Sequence, residues 1–344
     1  MLTQTIIGLD VGRSAVKATA FARGAFHTLM FPSIVTPAIE LSDEATARRA
    51  ETETVEVNGK RYFTGDTARI QGSAGATVGL SHDWTNSPEY LALVASTMKR
   101  FGAMGLPGLQ DPLLVIGTPA KLFSSQKEKL KAETQKVVGG AEIRVLPQPM
   151  GAYCDFTTDQ SGLPIKELAL DEESGMKKSW GVIEVGHFTT DFLLLLEGQY
   201  VERGADSCEG LNYAAEHLVR ILNGKGTQSN LIECERALRT GHIMEFGKKI
   251  DIQKDVATAI SHVAQKIIAK AQSLLSTDAR HLHGILLAGG AAPLFYEALK
   301  NIWPNCVLLE NPRMSVANGF CRFGMFSKLR QAQRANQSQE AVNG

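Results

Sequence analysis

The 344-residue sequence predicts an α/β fold made of two duplicated halves around a ligand cleft. The first observation is an apolar strand, a glycine turn and a return strand at 6–21, with Asp10 at the end of the first strand. The second is a repeat of this pattern at 181–196, with Glu184 in the place of Asp10. The third is a strand, a glycine turn and a helix at 284–303. Two similar hairpins, each opening one half of a chain, favour a ligand held by both halves.

The first hairpin carries residue types that suit a phosphate group. Gly12 and Ser14 lie in its turn, and glycine lets backbone N–H groups approach an anion closely. The Asp10 carboxylate beside the turn suits hydrated Mg²⁺, which prefers oxygen ligands, and Lys17 follows on the return strand. Ordinary hairpin turns use the same residues, so this copy alone leaves a purely structural interpretation open.

The second hairpin and the later glycine turn carry the other candidates. Asp191 follows Glu184 at the spacing at which Lys17 follows Asp10. The polar turn of the second hairpin consists of Gly186, His187, Phe188 and Thr189. His187 could donate to a phosphate oxygen or point to solvent. The turn Gly289-Gly290-Ala291 comes just before a helix, where a nucleotide can lie against bare backbone, although ordinary strand-to-helix turns have the same composition.

Composition excludes several classes of protein. Lys plus Arg equal Asp plus Glu at 36 each, so no electrostatic case exists for direct binding of nucleic acid or acidic membranes. The five cysteines lack metal-ligand spacing and indicate a reducing compartment. No signal peptide and no apolar run of membrane-spanning length is apparent, so we expect a cytoplasmic protein. P-loop and Rossmann phosphate motifs are also missing.

The remaining elements follow in order. A further strand is predicted at 25–39, ended by Pro32 and Pro37, and 40–53 is a surface loop or short helix. Asn58-Gly59 turns a hairpin at 55–68. A small-residue loop is predicted at 72–81, and Ser87-Pro88-Glu89 opens a helix. Next come a strand at 111–119, a charged helix at 120–138, a strand from 142, a helix starting at Gly151-Ala152 and a polar boundary segment at 157–178.

In the second half, helices are predicted after Gly210, at 229–241 and at 253–276. A last helix begins near 313. The tail from Lys328 is polar and lacks an apolar stripe, so we expect its end to be disordered.

Five motifs in order resemble those of the superfamily of actin, sugar kinases and heat-shock-chaperone ATPases. They cover 6–326, and the likeness is nearest to the ParM/StbA group of plasmid-segregating bacterial actins and their archaeal relatives. The motifs are the first phosphate motif Asp10-Val11-Gly12 with Ser14 and Lys17, the first connecting motif around Gln148 and Gly151-Ala152, the second phosphate motif Glu184–Asp191, the adenosine motif Leu287–Leu294, and the second connecting motif Ala317-Asn318-Gly319.

The resemblance implies an actin-like, ribonuclease-H-like fold that binds ATP, or GTP in its place, with Mg²⁺. It implies that Asp10 and Glu184 hold the metal through water and that Gln148 positions the attacking water, which makes these three the catalytic candidates. Further nucleotide contacts are implied for two groups of residues. Those around the phosphates are Gly12, Ser14, Lys17, Gly186, His187, Phe188 and Thr189. Those around the nucleoside are Gly210, Glu235, Arg236, Gly289, Gly290, Ala291 and Leu294.

The resemblance also divides the chain. Domain I is expected at 1–160, with an insertion at about 33–100, and is completed by a C-terminal helix at 313–330. Domain II is expected at 161–312 with an insertion at about 207–252, and 331–344 is expected to be a flexible tail.

Head-to-tail polymers that hydrolysis destabilises are implied, as is a DNA-bound adaptor protein that links them to plasmid DNA. A sugar-type small-molecule kinase and a weakly hydrolysing ATP-binding scaffold are the alternatives.

Two departures from the family pattern predict slow hydrolysis. The segregating actins usually have Glu where this chain has Gln148, and an amide orients water but cannot accept its proton. Glu184 is one methylene longer than the usual Asp, and small misplacements of catalytic groups can cost about a hundredfold in rate. A compensating backbone shift is the alternative.

Overall fold

The computed structural model describes residues 4–72, 77–78 and 84–343. The predicted loop at 72–81 therefore lies largely outside the described residues. Contacts between Cα atoms divide the chain into two compact units. Unit 1 comprises residues 1–165 and 316–344, and unit 2 comprises residues 166–315.

The two units contain strands and helices in alternation. Those of unit 1 are β1 (Ile6–Val11), β2 (Ala15–Ala22), β3 (Ala25–Pro32), β4 (Ile34–Pro37), α1 (Glu44–Ala50), β5 (Thr54–Val57), β6 (Lys60–Thr64), α2 (Gly65–Gln71), β7 (Thr77–Val78), α3 (Pro88–Ala103), β8 (Leu113–Thr118), α4 (Phe123–Val137), β9 (Glu142–Pro147) and α5 (Gln148–Thr157). Those of unit 2 are α6 (Lys166–Ala169), β10 (Trp180–Val185), β11 (Thr189–Leu196), β12 (Gln199–Tyr200), β13 (Asp206–Glu209), α7 (Leu211–Gly224), α8 (Leu231–Thr240), β14 (His242–Glu245), β15 (Lys248–Asp251), α9 (Gln253–Leu275), β16 (Gly284–Ala288), α10 (Ala292–Lys300) and β17 (Cys306–Leu308). The last helix, α11 (Ser315–Asn343), starts at the end of unit 2 and belongs almost entirely to unit 1.

The main sheet of unit 1 has the strand order β3-β2-β1-β8-β9. β1, β2 and β3 pair antiparallel, whereas β1, β8 and β9 run parallel. Both β1 and β8 are buried along their whole length, as expected of central parallel strands with both faces covered. This arrangement brings Asp10, near the end of β1, and Gln148, directly after β9, to the same edge of the sheet. A second sheet, of order β5-β6-β4-β7, completes the strands of this unit.

The sheet of unit 2 repeats this topology. Its order is β12-β11-β10-β16-β17, with β13 paired to the outer part of β11. β10 and β11 form the antiparallel hairpin, and β10, β16 and β17 run parallel. The predicted duplicated α/β fold is confirmed.

Two glycines bring α5 and α11 of unit 1 into close contact. A Cβ atom on Gly319 would lie 1.7 Å from the carbonyl oxygen of Gly151, and one on Gly151 would lie 2.5 Å from the carbonyl oxygen of Val316. Thr19 on β2 donates to the amide oxygen of Asn318 at 2.7 Å, which fixes α11 to the sheet. The two connecting segments named from the sequence therefore meet in unit 1, and their packing holds the start of α5, where Gln148 lies.

The helix termini mostly follow the sequence signals. Ser87 caps α3 by accepting a hydrogen bond from the backbone of Tyr90, and Asn230 with Glu233 forms a capping box at the start of α8. Two predicted boundaries were wrong. The helix after β9 begins at Gln148, not at Gly151, because the N-terminal turn of a helix accepts the Gln-Pro pair. The last helix continues to Asn343 instead of ending near 330.

No helix in the described part of the chain is both long enough and apolar enough to cross a membrane.

Candidate functional site

The predicted site residues fall into one group in each unit. In unit 1, the register of β1 and β2 places Asp10 opposite Lys17. The Lys17 Nζ donates to Asp10 Oδ2 at 2.8 Å, and the Gln148 Nε2 donates to Asp10 Oδ1 at 3.1 Å. The carboxylate of Asp10 is buried, with the residue only 3% exposed. Both of its oxygens therefore have a fixed hydrogen-bond donor.

The turn between β1 and β2 is held by a residue that the sequence did not indicate. Ser33 is fully buried; its backbone N–H donates to the Ser14 carbonyl at 3.1 Å, and its hydroxyl donates to the Gly12 carbonyl. The Ser14 side chain is exposed. Ser33 belongs to no recognisable sequence motif. It reaches the turn between β1 and β2 only because β3, which precedes it, pairs with β2.

Two buried hydroxyls near the end of the sheet in unit 1 have no hydrogen-bond partner among the described residues. They belong to Tyr90 and to Thr118, the last residue of β8. Burial, and next the charge of Asp10, raise the pKa of Tyr90. Thr118 pairs in register with Pro147, immediately before Gln148. Buried hydroxyls without a partner suit a water molecule or a ligand oxygen.

In unit 2, the turn between β10 and β11 is locked by backbone hydrogen bonds. Gly186 N–H donates to the Thr189 carbonyl at 2.9 Å within the turn. The segment that starts α7 adds three bonds: Gly210 donates to Phe188 at 2.9 Å, Leu211 to Gly186 at 3.1 Å, and Asn212 to His187 at 2.7 Å. The first N–H groups of α7 are thus used to hold the turn.

Gly210, predicted as a nucleotide contact, is packed against this turn. A Cβ atom there would lie 2.8 Å from the Gly186 carbonyl oxygen and 2.8 Å from the Thr189 nitrogen. Only glycine allows this close approach. The structure therefore gives Gly210 a structural task that its sequence pattern did not reveal.

Glu184 occupies the position in unit 2 that Asp10 has in unit 1. It is 7% exposed and lies opposite Asp191 in the register of β10 and β11. Asp191 is fully buried and accepts a hydrogen bond from the Ser207 hydroxyl at 2.6 Å. Cross-strand partners on one face of a hairpin have neighbouring side chains. The second hairpin thus carries two buried acids where the first carries an acid and a lysine.

The turn Gly289-Gly290-Ala291 packs directly on the second hairpin. Gly289 has a φ of +93°, and a Cβ atom there would lie 2.3 Å from the Val185 carbonyl oxygen and 2.8 Å from Glu184 Oε1. Ala291 N–H donates to the Val185 carbonyl at 3.1 Å. Leu294, on the first turn of α10, packs against the core of the unit. The carboxylate of Glu184 therefore lies beside the backbone of Gly289.

One face of α8 reaches both turns of unit 2. Glu235 Oε1 is 3.1 Å from the Nε2 of His187, whose ring also contacts Phe188 edge-on at 4.9 Å between centroids. Arg239, one helical turn later, donates to the Gly290 carbonyl at 3.3 Å. Desolvation, and next the neighbouring charge of Arg313, lower the pKa of Arg239. These contacts link α8 to both loops.

Arg236 also lies on α8. It is exposed, and its side chain makes no ion pair or hydrogen bond within the part of the chain that the structure describes. The arginine of α8 that reaches a predicted turn is Arg239, and the nucleotide contact of Arg236 stays a prediction.

Within the described residues, no cluster of three or more His, Cys, Asp or Glu side chains is arranged to hold a metal ion directly. Hydrated Mg²⁺ needs fewer protein ligands, since it keeps several of its waters. The buried carboxylates of Asp10 and Glu184, each beside a glycine turn, fit that requirement. The assignment of residues to metal and nucleotide remains a prediction.

Two family models match the chain, one in each half. "Actin like proteins N terminal domain" matches residues 8–151, and "Archaeal actin homologue MreB-like, C-terminal" matches residues 182–301. The chain belongs to the actin-like proteins. No curated protein sequence matches this actin-like chain significantly.

Solved structures of actin-like proteins share the fold. A ParM filament from Clostridium botulinum, described as 15-stranded, has a TM-score of 0.71 at 23% identity, with 94% of this chain and 99% of that chain covered. An archaeal actin homologue in complex with ADP has a TM-score of 0.67 at 18% identity, with coverages of 92% and 98%. A MamK double helical filament has a TM-score of 0.64 at 20% identity, with coverages of 92% and 98%.

Proposed function

We propose that this actin-like protein binds ATP with Mg²⁺, polymerises head to tail in the ATP state, and hydrolyses ATP slowly. The main observation in support is the pair of matching hairpins. Each has a buried acid at the end of its first strand and a glycine turn after it. Such turns suit phosphate groups, and buried carboxylates suit hydrated Mg²⁺. The archaeal homologue that shares the fold is described as a complex with ADP.

The hydrogen bonds of Gln148 define what it can do in catalysis. Its Nε2 is engaged by Asp10, which leaves Oε1 to accept a hydrogen bond from an attacking water. An amide oxygen orients the water but does not remove its proton. Mg²⁺, when bound with ATP, would neutralise charge on the phosphates. The chain itself supplies positioning through Gln148 and charge compensation through Lys17, so turnover is expected to be slow.

Arg239 and Arg313 extend the proposed site beyond the residues found from the sequence. Both guanidinium groups lie near the same glycine turn, and the charge of Arg313 adds to desolvation, the larger cause, in lowering the pKa of Arg239. A nucleotide can offset this accumulation of positive charge, because guanidinium groups bind phosphate oxygens and stack on aromatic bases. We therefore assign Arg239 to nucleotide binding together with Gly290.

Filament formation and plasmid segregation are part of the same proposal. Two of the proteins that share the fold are described as filaments, and one of them is a ParM. The formal net charge of zero gives no basis for direct DNA binding, so an adaptor bound to DNA is the proposed link to cargo. Residues alone do not favour one cargo, and the plasmid assignment rests on the fold relationship.

Sedimentation of the purified chain with ATP, ADP or a non-hydrolysable analogue tests the proposal. The expected result is polymer with ATP and the analogue, and loss of the ATP polymer as phosphate is released. The variant Q148A should polymerise with ATP but release phosphate about a hundredfold more slowly. ATP binding without polymer would support the scaffold alternative. Turnover stimulated by a small-molecule acceptor would support the kinase alternative. A chain that binds no nucleotide would overturn the proposal.

A further inference from the structure

An arginine of α3 in unit 1 lies at the centre of a largely buried polar network. The guanidinium group of Arg100 donates to Glu53 Oε1 at 2.8 Å and to the Ser96 hydroxyl at 3.2 Å. Only 19% of the Arg100 side chain and 16% of the Glu53 side chain are exposed. Burying two charges costs free energy that their attraction barely returns, so such a pair adds little net stability. The pair is better explained by what it holds in place.

Glu53 connects this network to the four-stranded sheet of unit 1. Its second carboxylate oxygen accepts the backbone N–H of Thr67 on α2 at 2.6 Å, and its carbonyl accepts the hydroxyl of Thr64 on β6 at 2.9 Å. Gly65, the first residue of α2, has a φ of +65°, and a Cβ atom there would lie 2.7 Å from Arg100 Nη2. The backbone of Gly65 thus closes over the guanidinium group. Contacts from α2, α3 and the segment before β5 therefore hold the arginine in one position.

The fixed guanidinium group lies over an aromatic ring of β3. Arg100 Cζ is 4.1 Å from the centroid of the Phe31 ring, and Phe31 is buried. A cation over the face of an aromatic ring is attracted to it, more strongly where water is excluded. Two residues after Phe31 comes Ser33, whose hydroxyl donates to the Gly12 carbonyl and whose N–H donates to the Ser14 carbonyl. The arginine therefore restrains the end of the strand that leads into the residue holding the turn between β1 and β2.

We propose that Arg100 is a positioning residue for the turn between β1 and β2. It fixes the ring of Phe31 and, through it, the position of Ser33 and of the turn carbonyls that Ser33 binds. Groups that bind a ligand need supporting residues whose own conformations are locked by packing and hydrogen bonds, and Arg100 meets this condition. The proposal rests on the nucleotide binding proposed above, for which it names a residue that sets affinity without touching the turn.

The variant R100K separates this role from a contribution to general stability. Lysine can keep an ion pair with Glu53, but it lacks the planar guanidinium group that covers Phe31. The matched control is R69K, the same exchange at an exposed arginine of α2 that pairs with Asp66 at 2.9 Å. Both variants keep their charge, so they differ in whether a planar group over the aromatic ring is lost.

Amide hydrogen exchange in the absence of nucleotide tests the positioning role directly. The N–H of Ser33 reports on the turn, and the N–H of Val115, on the central strand β8, reports on the stability of the whole sheet. R100K should accelerate exchange at Ser33 at least about fivefold more than at Val115, because only the local restraint is lost. R69K should match the wild type at both amides. Equal acceleration at Ser33 and Val115 in R100K would overturn the proposal, since a merely structural role affects both alike.

A double-mutant cycle tests whether Arg100 acts through Ser33. Fluorescence titration with a labelled ATP analogue compares the wild type, R100K, S33A and the double variant. R100K alone should weaken binding about threefold, but in the S33A background it should weaken binding by less than about 1.5-fold, because residues that act through one another are not additive. A threefold loss in both backgrounds would overturn the route through Ser33. A wild type that binds no nucleotide would refute the proposed function, and the exchange at Ser33 would still decide the positioning role.

Discussion

The hairpins β1–β2 and β10–β11 have the same topology but place different residues opposite their buried acids. In the first, Asp10 faces Lys17 across the strands, and the two form an ion pair of 2.8 Å. In the second, Glu184 faces Asp191, a second acid. Glycine follows the acid in both. Because the two hairpins share one backbone topology, the main chemical difference between them is the residue that faces the acid.

The contrast extends to how each turn is held. The first turn depends on side chains, with Ser33 bonded to the Gly12 carbonyl and Gln148 bonded to Asp10. The second depends on backbone N–H groups from the start of α7, which bind three successive carbonyls of the turn. The first hairpin thus pairs its acid with a lysine of the same hairpin, while the second has a rigid backbone around two facing acids.

The largest effect is expected from neutralising the two acids in turn. D10N leaves Lys17 without its partner in a mostly buried position, and should lower the free energy of unfolding by about 3 kcal/mol. E184Q changes an acid that faces another acid and not a lysine, so its loss of stability without nucleotide should be smaller than that of D10N. Urea unfolding in the absence of nucleotide measures both. Equal losses in the two variants would show that the facing residue does not decide the balance.

A smaller effect is expected from changing the glycine that locks the second turn. G210A places a methyl group 2.8 Å from the Gly186 carbonyl, and should cost about 1–3 kcal/mol of stability. G224A, at the end of the same helix, meets no atom within 4 Å and should be neutral or slightly stabilising. Thermal unfolding compares the two. If G210A unfolded like G224A, the backbone lock would not be important for stability.

For the first turn the corresponding change is S33A. It removes one side-chain hydrogen bond but keeps the backbone bond to Ser14, so the expected loss is about 1 kcal/mol. Nucleotide affinity should fall about fivefold with it, because the Gly12 carbonyl is no longer held. Fluorescence titration with a labelled ATP analogue measures this loss. S42A is the matched control, since Ser42 is an exposed serine of the same unit outside the first turn. An equal loss in S42A would show that the effect is not specific to this turn.

Local sequence patterns predicted the strands, the glycine turns and the duplication of the fold, because these features are encoded by residues that are close together in the chain. Apolar runs and glycine turns identified β1, β10 and β16, and the repeated acid-valine-glycine pattern indicated the duplication. Ser33 and Arg239 were not predicted. Ser33 reaches the first turn only through strand pairing, and Arg239 reaches Gly290 through tertiary packing of α8. The β14–β15 hairpin was also missed, because its strands have only four residues each and its turn lacks the usual Asn or Asp.

The smallest effect is expected from changing Arg239. This arginine lies on α8, outside the β10–β11 hairpin, and reaches the Gly289-Gly290-Ala291 turn of unit 2. R239Q keeps a donor for the Gly290 carbonyl but removes the repulsion with Arg313, so stability without nucleotide should change by less than about 0.5 kcal/mol. Nucleotide affinity should fall about threefold to fivefold, since an exposed charge-assisted contact is lost. R236Q, which changes an exposed arginine with no hydrogen bond or ion pair among the described residues, should bind as the wild type does. If R236Q weakened binding and R239Q did not, Arg236 and not Arg239 would be the arginine of α8 that contacts the nucleotide.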